Sequence, residues 1–133
     1  MEFLLATLIE WLALNASMEI ATPPEVVIMS SKELDKKYGA PVHALYAHHE
    51  GTIYLSSHVN LETTQGKSVL LHELVHHYQN VSGAMDGYNC AQESEKLAYE
   101  TQRDYLKAKN ARLLPELNAF NIVMRSLCGS GNY

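Results

Sequence analysis

Six consecutive residues, His72-Glu73-Leu74-Val75-His76-His77, constrain this chain more than any other stretch. Leu71, Leu74, Val75 and Tyr78 recur at helical spacing and form one apolar stripe. A helix here must bury that stripe, and His72 and His76 lie on its flank, partly buried with it. Four residues apart, they project from one face with about 40° of rotation between them, so one metal ion can bind both. Glu73 sits about 100° from His72 and 60° from His76, beside such an ion rather than on it. That position suits a carboxylate that takes a proton from metal-bound water. With 7 His in the chain, an HExxH arises by chance only about 0.03 times.

Catalytic zinc usually takes a third protein ligand. Cys90, Glu93 and Glu95 follow downstream. On a helix over 91–108, Ala91, Ala98, Tyr99, Gln102, Tyr105 and Leu106 all lie within about 80° of Glu95. Glu93, Glu100, Asp104 and Lys107 cluster on the opposite, solvated side. A carboxylate centred on the apolar face needs a partner, because an unpaired buried charge is expensive. A metal ion is such a partner, and Glu95 is therefore the expected ligand; a salt bridge from elsewhere is the competing explanation.

The remaining chain supplies a frame for these two helices. Leu5, Leu8, Ile9 and Leu12 make an amphipathic first helix, which Pro23-Pro24 ends. Glu25 to Met29 reads as a strand, and Ser30 or Ser31 caps a short helix over 32–38 that stops at Gly39. Residues 42–47 and 52–56 read as two strands joined through His48-His49-Glu50-Gly51, the second half-buried by its alternation. The HExxH helix runs from about Ser68 to Val81. A last amphipathic helix begins at Pro115, with Leu117, Phe120, Met124 and Leu127 as its stripe. The order predicts an α+β fold in one domain, 1–133: a small mixed or antiparallel sheet on the HExxH and Glu95 helices, with flanking terminal helices.

His72-Glu73-x-x-His76 followed by Glu95-Lys96-Leu97-Ala98 resembles the gluzincin metallopeptidases, and the small size resembles their minimal forms. The pairing of HELVHH with Glu95, Ala98, Tyr99 and Gln102 is also similar to small bacterial or phage HExxH proteins. Metzincins require Gly and His where this chain has Gln79 and Ser82. Peptide deformylases use an upstream Cys ligand, whereas both cysteines here lie downstream. The resemblance implies zinc, one ion per chain on His72, His76 and Glu95, polarising a scissile carbonyl while Glu73 serves as general base and then acid. It implies that 52–56 is an edge strand pairing with an extended peptide, as expected of an endopeptidase. The position four after the Glu ligand often orients a histidine ligand, and here it is Tyr99. The oxyanion-stabilising group is left open. Only 38 residues follow Glu95, so a latent or inactive zinc-binding module acting through a partner is the alternative, and a plain helical interaction protein a third.

A net charge of −5 argues against nucleic acid, which needs a basic stripe. No apolar run approaches the ~20 residues that span a bilayer. Glu2 and Glu10 stand where a signal peptide carries positive charge, which favours the cytoplasm. Cys90 and Cys128 can form one disulfide, and such a bond instead favours export. His77 reads as a flanking residue. His48 and His49 read as loop residues, and His43 and His58 as solvated ones, with a place lining a cleft as the alternative for these two.

Overall fold

The computed structural model describes residues 1–129, which form an α+β arrangement of five α-helices and a three-stranded mixed sheet. Helix α1 (Glu2–Ala16) buries Leu5, Leu8 and Leu12, the stripe its spacing predicts. The proline pair leads into β1 (Glu25–Met29). In α2 (Ser31–Tyr38) the Ser30 hydroxyl caps the start by accepting from the Glu33 N–H at 3.2 Å. Gly39 ends that helix at φ 70°, a conformation open to glycine at little cost. Strands β2 (Ala44–Ala47) and β3 (Thr52–Ser56) follow.

The sheet order is β1-β3-β2, with β1 parallel and β2 antiparallel to β3. Residues 52–56 are therefore the central strand and not an edge, and all five are buried rather than alternating. The reason is non-local. Because β1 and β3 are parallel, the chain must cross over between them, and α2 and β2 fill that crossover. β3 thus arrives between two strands already laid down. The edge next to the HExxH helix belongs to β2, which packs on that helix.

Helix α3 (Thr64–Val81) starts four residues earlier than Ser68, because Thr63 caps it. The Thr63 hydroxyl accepts from the Gly66 N–H at 3.0 Å and donates to the Asn60 carbonyl at 2.8 Å. That carbonyl would lie 1.8 Å from a Cβ on residue 66, so only glycine fits this turn. The expected helix over 91–108 divides into a 3-10 turn, Ala91–Ser94, and α4 (Glu95–Ala108). The main core joins α1, β3, α3 and α4 through Leu8, Leu12, Ile53, Leu71, Leu74 and Tyr105, among others.

The C-terminal stripe is corrected more strongly. A 3-10 turn, Pro115–Leu117, precedes a short α5 (Ala119–Arg125). Leu117 and Ile122 are buried, whereas Phe120 is 71% exposed and Met124 and Leu127 are also exposed. Asn118 caps α5 by accepting from the Asn121 N–H, and this restarts the helical phase after the proline turn. Cys90 and Cys128 are joined as a disulfide, with Cα atoms 5.8 Å apart. It ties the segment before α4 to the residues after α5.

Candidate metal centre

Helix α3 packs against α4, and their facing sides bring His72, His76 and Glu95 together. One donor atom from each lies within 4.8 Å of the other two. His72 Nε2 is 3.2 Å from Glu95 Oε1, and His76 Nε2 contacts the same oxygen. Both histidines are buried, at 6% and 8% exposure. Two imidazole nitrogens and one carboxylate oxygen are a donor set suited to zinc-like divalent ions. Cys90 is consumed by its disulfide, and Glu93 faces away, accepting from Asn89 at 3.0 Å. Of the three downstream candidates, Glu95 alone joins the histidines.

Two glutamines set which ring nitrogen of each ligand histidine carries hydrogen. Gln79 Nε2 donates to the Ser94 carbonyl at 2.9 Å, and a carbonyl can only accept. The Gln79 carbonyl oxygen must therefore face His76 Nδ1, 2.8 Å away, which must be N–H. The same logic holds on the other side. The Ser68 hydroxyl donates to the Gln65 carbonyl, so its oxygen accepts from Gln102 Nε2 at 3.1 Å. The Gln102 oxygen then faces His72 Nδ1 at 3.0 Å, again as acceptor. With Nδ1–H of both histidines committed to a glutamine oxygen, Nε2 is the nitrogen that faces the shared centre, and it offers a metal its lone pair once the proton it shares with Glu95 is released.

This corrects the expectation for Tyr99. Its ring packs edge-on against His72, 4.5 Å between centroids, but its hydroxyl accepts from Arg125 Nη1 at 3.3 Å. Gln102, not Tyr99, orients His72. Gln79 and Gln102 carried a legible signal: each shares a helix face with a ligand, three residues after His76 and seven after Glu95.

His77 is a strut. Its Nε2 donates to the Thr22 carbonyl at 2.9 Å, so its Nδ1 accepts from the Tyr46 hydroxyl at 2.8 Å. It ties α3 to β2 and to the segment before β1. His58 is exposed, while His43 and His48 line the cleft described below.

Glu73 is buried at 7% exposure and faces the same cleft. Burial pushes its carboxyl above the ordinary value, and His72 and His76 pull it only partly back. In the metal-free chain, burial disfavours charge on His76. The Glu95 carboxylate outweighs this and holds the imidazole up to about 9. Burial likewise opposes charge on Glu95, yet hydrogen bonds from His72 and His76 keep it well below the usual carboxylate range. Burial, then the charge of Glu95, raises the Tyr99 phenol.

The donors open into a cleft of about 660 Å³. Its walls include residues 41–46, among them β2 residues Ala44–Tyr46, then Val69 of α3, and Leu114, Glu116, Leu117 and Arg125 from the C-terminal segment. No described helix is long and apolar enough to cross a membrane.

Neither the curated proteins nor the solved structures contain a match to this chain. One family model, described as "Domain of unknown function (DUF6647)", matches residues 1–133, and the chain belongs to that family.

Proposed function

We propose that this chain is a zinc-dependent peptidase of minimal gluzincin type. The observation that carries the reading is the convergence of His72, His76 and Glu95, with each imidazole oriented by a glutamine on Nδ1 so that Nε2 faces the centre, and a buried carboxylate, Glu73, beside them. When bound, zinc supplies Lewis acidity and acidifies water. Glu73 takes the proton of the attacking water and passes it to the departing amine, a role its buried place beside the two histidines favours. β2, the strand on the cleft side, offers its edge to an extended peptide. The disulfide supports an oxidising compartment as the working environment.

Metal analysis and a peptide-library assay test this. Wild type retains about one zinc per chain, and Glu95→Ala loses it. Glu73→Gln keeps the zinc and lowers cleavage by about 10²–10⁴-fold. Cleavage surviving Glu73→Gln refutes the mechanism, and a wild type that takes up no zinc refutes the site. The exposed apolar side chains of α5, Phe120, Val123 and Met124, favour a second reading in which the centre works through a partner. Stoichiometric zinc with no turnover of any peptide selects that reading.

A further inference from the structure

Arg125 is the only lysine or arginine lining the cleft among the described residues. Among the described residues it makes no ion pair with a carboxylate, and its side-chain hydrogen bond goes to the Tyr99 hydroxyl. A guanidinium has five N–H donors in a planar fork, and the described residues engage only a small part of this one. Glu116 lines the same cleft without pairing to it. The disulfide, three residues on at Cys128, anchors the segment that carries Arg125.

The position is informative. Arg125 makes no hydrogen bond or ion pair with His72, Glu73, His76 or Glu95. Tyr99 links the two regions: its ring is 4.5 Å from the His72 ring and 5.7 Å from the Arg125 guanidinium carbon. Those two legs limit the separation of guanidinium and His72 to about 10 Å, at most three residues of extended chain. Part of that span is taken up by the contacts at each end, leaving one or two residues. The C-terminal wall adds Leu114 and Leu117, with Glu116 between them.

We propose that Arg125 anchors the free α-carboxylate of a peptide substrate, so that cleavage releases one or two residues from a peptide C-terminus. This rests on the peptidase reading and changes the expected endopeptidase into a carboxyl-terminal exopeptidase. A planar carboxylate matches the guanidinium fork in a bidentate pair, and a neutral amide does not.

The test compares N-acetyl-Ala-Ala-Phe as free acid and as amide, on zinc-treated wild type, Arg125→Met and Arg125→Lys. Binding is read by calorimetry and cleavage by chromatography. Wild type binds the acid about ten- to a hundredfold tighter than the amide. Arg125→Met abolishes that ratio by weakening the acid alone, and Arg125→Lys restores part of it. Equal binding of acid and amide by wild type overturns the proposal, even where Arg125→Met fails to fold. A preference that persists in folded Arg125→Met also overturns it, because the carboxylate is then held elsewhere, including at the metal. Equal cleavage of both peptides refutes the anchor and leaves hydrolysis standing. Arg125-dependent binding of the acid with no cleavage refutes hydrolysis and leaves the anchor standing.

Discussion

Replacing Gln79 by Leu tests how the centre is held together. Gln79 is fully buried and supports two ligands at once. Its oxygen fixes His76 at 2.8 Å, and its amide nitrogen holds the carbonyl of Ser94, the residue before Glu95, at 2.9 Å. Leucine has similar volume, so packing changes little, but the His76 Nδ1–H loses its acceptor, and the Ser94 carbonyl and Tyr88 hydroxyl each lose a donor. Each buried unpaired group costs about 1–3 kcal/mol, which sets the loss of stability in the metal-free chain. The loss of an orienting partner on a ligand histidine typically weakens metal binding by about 10–100-fold. Gln79→Leu falls at the upper end because Glu95 is loosened too. Gln102→Leu, which frees His72 alone, falls at the lower end. The assay is zinc competition against a chromogenic chelator, with thermal melting to report folding. Histidine ¹⁵N and ¹H shifts of the zinc-loaded protein add a readout that packing alone does not move: with Nε2 on the metal the hydrogen stays on Nδ1, and its shifts report the lost hydrogen bond at His76 only in Gln79→Leu. Zinc affinity within twofold of wild type in a folded Gln79→Leu protein refutes the reasoning.

Four further outcomes are expected. Proton and metal compete for His76 Nε2, so zinc affinity rises by about one decade per pH unit up to about pH 9, and calorimetry in buffers of different ionisation enthalpy detects the released proton. In the metal-free chain the raised His76 stabilises the fold fully below about pH 6.5 and loses that effect as pH rises through about 9. The lowered Glu95 contributes above pH 4.5 and loses its effect as pH falls below that value, so melting temperature should fall on both sides. Gly66→Ala gains about 1 kcal/mol of helix propensity but drives a Cβ to 1.8 Å from the Asn60 carbonyl; urea titration should show a net loss of about 2 kcal/mol or more. Reducing the disulfide reopens a 38-residue connection, which by loop entropy removes about 4 kcal/mol; denaturant titration with and without a thiol reductant measures it.

What the sequence made legible was mostly what a single helix encodes. His72, Glu73 and His76 are placed by rotation about one axis, and Glu95 by the apolar face of another. Both inferences need only the 3.6-residue period. The strands at 25–29 and 52–56 were legible as strands, but their order was not, because β3 lies centrally only through its parallel pairing with β1, 27 positions away in register. The start of α3 was hidden by its polar cap, Thr63, whose fit to Gly66 depends on a loop carbonyl. The stripe over 117–127 failed at Asn118, where a cap restarts the helix out of phase with the proline turn.

The adjacent pair His76 and His77 shows where the boundary falls. The two share backbone, burial and motif, and rotation alone makes one a flank of the other. What separates ligand from strut is the chemistry facing each Nδ1. An amide oxygen from Gln79 can only accept, so His76 keeps hydrogen on Nδ1, and Nε2, which faces Glu95, is the nitrogen that can give up its proton for a metal. At His77 the Thr22 carbonyl claims a hydrogen on Nε2, and Nδ1 turns acceptor for Tyr46. With Nε2 committed to that carbonyl, His77 cannot offer it to a metal. The partners of His77 lie 55 and 31 residues away, so no local pattern reports them, whereas Gln79 is three residues from His76 and was open to view. The pure acceptor on its outer nitrogen thus marks His76, and not His77, as the candidate ligand, where the motif alone leaves both open.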